Sequence, residues 1–144
     1  MRVMVMIKAN KASEAGEMPS EAVMAQMLKF NEQLMQAGVI KGAGGLQPSA
    51  LGKRLVLSGG RRNIIDGPFT ETKELIAGYW IWEVSSIEEA LEWLRRCPDP
   101  DPGVDGVIEI RPMYEDGACG HSADPELRAE QERVHAEIKR RLTA

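Results

Sequence analysis

A chain of 144 residues with 43% hydrophobic content is long enough to bury one core and too short to argue for two. Its 18 basic and 22 acidic residues leave a net charge of -4 spread along the chain, so the concentrated positive field that nucleic acid or an anionic membrane needs is missing. The apolar run nearest the N-terminus, Val3 to Ile7, is shorter than a signal-peptide core and far shorter than a membrane span, which sets the expectation of a cytoplasmic protein with reduced thiols at Cys97 and Cys119.

Residues 2–8 read as a strand whose central side chains, Val3, Met4, Val5, Met6 and Ile7, are apolar on both faces, so both faces need cover. Ser20 is placed to cap a helix over residues 21–37. There Val23, Met24, Met27, Leu28, Leu34 and Met35 recur near helical spacing, and Gly38 follows as a C-terminal cap. Gly42-Ala43-Gly44-Gly45 invites a phosphate-loop reading, but no helix start comes after it to receive a phosphate, so it is a glycine-rich passage. Residues 53–57 and 62–65 then form two short strands folded about Ser58-Gly59-Gly60-Arg61, whose glycines supply the positive φ of a hairpin.

Asp66-Gly67-Pro68 is a tight bend, since proline discourages the preceding residue from the α region and glycine has the widest choice of alternatives. Asp66 has two roles open to it. It can bond backbone amides just ahead in the turn, or act as a general base or water-orienting acid, a role that asks for burial. Phe69, three residues on, joins Asp66 as a candidate ligand contact.

Residues 78–85 form a strand with Trp80, Trp82 and Val84 on one face and Tyr79, Ile81 and Glu83 on the other. Ser86-Ile87-Glu88-Glu89 has the capping-box pattern and opens a helix with Ile87, Ala90, Leu91 and Leu94 on one stripe, stopped by Pro98. Residues 105–113 are the last strand, in which Glu109 and Arg111 share a face. From Asp124 and Pro125 a further helix carries a thin apolar line, Leu127, Val134 and Ile138 extended by Leu142, which suits docking on a neighbouring surface.

The order βαββ(β)αβ places the chain in the α+β class. Both helices lie on one face of an antiparallel sheet, because each crossover has the same right-handed sense. The other face is bare in one subunit although two strands are apolar on both sides, and a second copy packed sheet to sheet is the economical cover. Facing such a space, Tyr79 and Arg111 could bind an anionic or phenolic small molecule; equally, Arg111 could pair with an internal acid. Cys119-Gly120-His121 offers two metal ligands where three or four are needed, so no metal is expected.

The run DGPFTETKE at residues 66–74, followed by LIAGYWIWEVSSIEEALEWLRRCP and VIEIRP, resembles the DGPF group of YCII-related proteins over residues 1–114, with 115–144 left as a linker and helical extension. The resemblance implies a ferredoxin-like subunit paired into a dimeric α/β barrel. In the wider superfamily it implies dehydrochlorinases, isomerases and monooxygenases acting on small cyclic compounds, some of them using a His with an Asp. Asp66 matches the acidic partner, while His121 and His135 lie beyond the resembling part, so the dyad does not carry over. Three functions follow: a homodimer that binds a small organic ligand; a cofactor-free lyase, isomerase or dehydrochlorinase-like enzyme using Asp66, with Arg111 or Tyr79 holding substrate; and an interaction module with a regulatory protein partner, implied by the family's association with sigma-factor genes.

Overall fold

The structure, a computed structural model, describes residues 1–115 and 120–144. The chain runs β1 (Arg2–Lys8), α1 (Lys11–Glu14), α2 (Glu21–Gln36), β2 (Ile40–Gly45), β3 (Lys53–Ser58), β4 (Arg61–Asp66), β5 (Ile76–Glu83), α3 (Ile87–Arg95), β6 (Ile108–Pro112) and α4 (Pro125–Thr143). Single 3-10 turns sit at Ser49–Leu51 and Thr72–Glu74.

The main sheet has the order β2-β5-β1-β6 with every neighbouring pair antiparallel, which is the ferredoxin-like arrangement of an α+β fold. Its core follows from strand alternation: Val3 stands opposite Trp82 and Val5 opposite Trp80, and all four are buried. Phe30 and Leu34 of α2 and Ala90 of α3 close this layer. Phe30 meets Trp80, Trp82 and Trp93 edge-on, with ring centroids 6.0, 6.3 and 6.4 Å away. Trp80 donates its indole N–H to Asn31 Oδ1 at 2.9 Å, whereas the buried Trp82 Nε1 has no partner among the described residues.

Helix ends follow the capping residues. Ser20 Oγ accepts from Val23 N at 3.2 Å, and Gly38 closes α2 at φ 71°. Ser86 Oγ accepts from Glu89 N at 3.1 Å, but the other half of the expected capping box turns elsewhere. Glu89 accepts from Ser85 N and Ser85 Oγ, both at 2.6 Å, and these bonds hold its carboxyl below the usual range.

Several expectations need correction. The glycine-rich passage is the edge strand β2, which lacks the β-branched bulk that marks strands. The stripe of α2 is also rotated: Val23, Phe30 and Leu34 are buried, while Met24, Leu28 and Met35 are exposed, because Phe30 shares a face with residues seven before and four after it. The last strand is shorter than residues 105–113, and α1, capped by Asn10 accepting from Ser13 N, was not anticipated. Among the described residues, strands β3 and β4 pair only with each other, as a hairpin inserted between β2 and β5.

Candidate functional site

The sheet face turned away from α2 and α3 is built in two cross-strand rows. Gly42, Ile81, Met4 and Arg111 stand side by side across β2, β5, β1 and β6, and Gly44, Tyr79, Met6 and Glu109 form the next row. Each row runs from no side chain, through a bulky one and a methionine, to a charge. Met4, Met6, Tyr79 and Ile81 are all half-buried.

Of the two glycines, Gly44 is the one that lets its large neighbour lie close over the edge strand, while a side chain at Gly42 would only touch Ile81 at ordinary van der Waals distance. A Cβ on Gly44 would stand 3.0 Å from Tyr79 Cε1 and 3.1 Å from its hydroxyl oxygen, and one on Gly42 would meet Ile81 Cδ1 at 3.7 Å. Tyr79 therefore rests on bare backbone at Gly44.

Charges on this face are unequally satisfied. Glu109 pairs with Lys8 at 3.7 Å, and Glu83 with Lys41 at 3.6 Å. Arg111 has no ion pair among the described residues, and neither does the Tyr79 hydroxyl have a hydrogen bond there. Arg111 and Tyr79 are thus brought to one face, in adjacent rows and separated by the β1 methionines.

Asp66 and Phe69 are placed elsewhere, at the root of the hairpin. Asp66 stands opposite Lys53 across β3 and β4, and its carboxylate takes Lys53 Nζ at 2.5 Å with 74% of the side chain exposed. Phe69 is half-buried with the Arg54 guanidinium 3.8 Å above its ring. Its backbone N–H bonds Ser49 Oγ at 3.0 Å, and Glu14 accepts from both the N–H and the hydroxyl of Ser49.

Glu14 and Ser49 were not singled out from sequence, since residues 35 apart carry no local signal of contact. The alternating glycines of β2 did carry one, because small residues in a strand often mark close approach. Open hollows lie at the hairpin tip, lined by Leu57 to Arg62, and between α2 and the end of α3, beside Phe30 and Arg96; neither is lined by Asp66, Tyr79 or Arg111.

No cluster of three or more His, Cys, Asp or Glu side chains able to hold a metal occurs among the described residues, and no helix among them is long and apolar enough to cross a membrane. His121 and His135 are exposed, just before and on α4. Cys97 is a free thiol; Cys119, and with it the question of a partner for His121 in metal binding, lies outside the described residues.

Comparison with known proteins adds three findings. An uncharacterised protein of Rhizobium meliloti (strain 1021) is 31% identical over 93 residues, which cover 65% of this chain and 74% of that protein. Among solved structures the chain is similar to the 5-chloro-2-hydroxyhydroquinone dehydrochlorinase of Burkholderia phenoliruptrix AC1100 in complex with 2,5-dihydroxybenzoquinone, with 18% identity and a TM-score of 0.42 over 81% of this chain and 97% of that one. The profile of the YCII-related domain matches residues 1–115, from β1 through the end of the sheet, and the chain therefore belongs to the YCII-related family.

Proposed function

We propose that this YCII-related protein is a homodimer that binds a small anionic or phenolic organic molecule over the open face of its sheet. One observation carries the reading. Arg111, exposed on the edge strand β6, and the half-buried Tyr79 share a sheet face with the half-buried Met4, Met6 and Ile81, and both polar ends are without partners among the described residues.

A face of that kind is costly to leave in water and is well suited to a second sheet packed about 10 Å away. The space between two such faces is apolar at its centre, with a guanidinium and a phenol hydroxyl at hand. Guanidinium takes a carboxylate or phenolate by charge-assisted bonds, the hydroxyl both donates and accepts, and the methionines adapt to ring shape. The reading requires no reaction.

The test has two parts. Sedimentation at micromolar concentration is expected to give a dimer, and a monomer at all concentrations overturns the reading. Titration calorimetry with a panel of hydroxybenzoates, beginning with 2-hydroxybenzoate, is expected to show binding that Arg111→Gln weakens about tenfold or more, a loss on the scale of one charge-assisted bond. Binding of none of them, or binding indifferent to Arg111, removes the ligand class.

A further inference from the structure

We infer that the β3–β4 hairpin is an intermolecular arm that docks on a second copy of this chain, against the acidic segment at residues 99–107. This inference rests on the homodimer reading above and says which surfaces meet outside the sheet.

The arm is aimed by its root. Gly67 N–H bonds Gly52 O at 3.0 Å, Phe69 N–H bonds Ser49 Oγ, and Arg54 lies over Phe69, so both strands leave a braced base. Beyond that base every residue from 53 to 66 is exposed. Leu55, Leu57 and Ile64 stand on one face, with Leu57 65% and Ile64 70% accessible, and Val56 and Ile65 stand on the other. A two-stranded hairpin with apolar side chains on both faces is at best marginal in water and needs a surface to pack on.

Charge selects that surface. The hairpin carries Lys53, Arg54, Arg61 and Arg62 against the single carboxylate of Asp66, in a chain whose net charge is -4. Residues 99–107 carry Asp99, Asp101 and Asp105 with no basic residue, together with exposed Val104 and Val107, the latter 62% accessible. Each surface thus mixes exposed aliphatic side chains with a net charge, positive on the hairpin even after Asp66 pairs with Lys53 and negative on residues 99–107.

Both surfaces belong to the same end of the sheet. Lys8 N bonds Val107 O at 3.0 Å, and the next residue, Ala9, bonds Leu75 O at 3.0 Å, just before β5 leaves the hairpin insertion. A two-fold pair therefore offers one arm and one seat from each copy, which is the self-complementary pattern a closed dimer needs.

Hydrogen exchange of the full chain, run above and below the dimer midpoint, tests the arm. Residues 53–66 and 99–107 are expected to gain protection together, and only in the associated protein. Replacing Arg61 and Arg62 at the tip by Glu should weaken dimerisation about tenfold, and Asp105→Arg in that background should recover part of the loss. A protein that is monomeric throughout overturns the homodimer reading and the arm with it. A dimer that protects β1 and β5 but leaves residues 53–66 exchanging freely overturns the arm alone. Hairpin protection without protection of 99–107, or without any effect of the charge variants, overturns the pairing of these two surfaces.

Discussion

Gly67 lies so close beneath Ser49 that a Cβ on it would stand 1.7 Å from the Ser49 carbonyl oxygen and 2.6 Å from its carbon. The glycine is required for contact and not for a left-handed backbone, since its φ is not positive. The DGPF turn and the turn at residues 49–52 are therefore one structural unit, with the Gly67–Pro68 peptide bond cis at its centre.

Gly67→Ala is expected to destabilise the protein by about 1–3 kcal/mol or more, because backbone has to move to admit the methyl group. Gly45→Ala is the control, as no atom of the described residues lies within 4 Å of a Cβ there. Urea denaturation compares the two, and equal midpoints would show that the close approach at Ser49 is absent.

Glu14 and Ser49 hold the same unit from the other side. Ser49→Ala deprives the Phe69 N–H of its acceptor and the Glu14 carboxylate of a hydroxyl donor, with an expected cost of about 1–3 kcal/mol. Combined with Glu14→Gln in a double-mutant cycle, the two changes should cost less than their sum, with a coupling of about 0.5–3 kcal/mol. Strict additivity would mean that the carboxylate and the hydroxyl act independently.

How much of this was legible in the sequence depends on whether the signal was local. Alternation in β1 and β5, the caps at Ser20, Ser86 and Asp124 and the glycine tip of the hairpin are written within a few residues, and the structure carries them as expected. β2 was hidden, because Gly42 and Gly44 have no side chains to declare a strand and their meaning lies in Tyr79 and Ile81, far along the chain on β5. The same holds at the candidate site: that Arg111 and Tyr79 face one way follows from register across β1, which no pattern inside either strand specifies. Asp66 looked like a turn residue facing backbone amides, and the structure shows it in an exposed pair with Lys53, a cross-strand relation set by the hairpin register.

Gly44→Ala separates binding from folding at the open face. The added methyl would lie 3.0–3.2 Å from Tyr79 ring atoms and hydroxyl, so the phenol has to shift by a few tenths of an ångström away from β2, a movement open to a side chain at a half-buried site. Stability is expected to change by about 1 kcal/mol or less, while affinity for 2-hydroxybenzoate falls, by less than it does in Tyr79→Phe. An unchanged affinity would show that Tyr79 makes no contact with ligand from its resting place on Gly44.

Asp66→Asn removes a solvent-exposed ion pair with Lys53, and such pairs are worth roughly 0–1 kcal/mol. The melting temperature should hardly move, and raising the salt concentration should bring wild type and variant closer together. A large loss of stability would instead assign Asp66 a bond to the turn that the exposed pair does not supply.

Cys97 provides the pH-dependent prediction. Burial, with a smaller contribution from the Asp99 charge, pushes its thiol up to about 11 from an ordinary 9.0. A pKa raised by folding means that the native state favours the protonated thiol, so the contribution to stability is fully present below the ordinary value of 9.0 and is lost as pH rises toward about 11. With allowance for solvent screening at a partly exposed site, the contribution is about 1–2 kcal/mol. In a Cys119→Ser background, which leaves Cys97 as the sole thiol, the stability advantage over the additional Cys97→Ala change should be constant from about pH 7 to 8.5 and shrink by that amount by about pH 11. The same burial should make the native thiol slow to react with iodoacetamide at about pH 8 and fast in urea, because the thiolate is the nucleophile. Equal alkylation rates in the native and unfolded protein would place Cys97 in water and remove the basis of the pH effect.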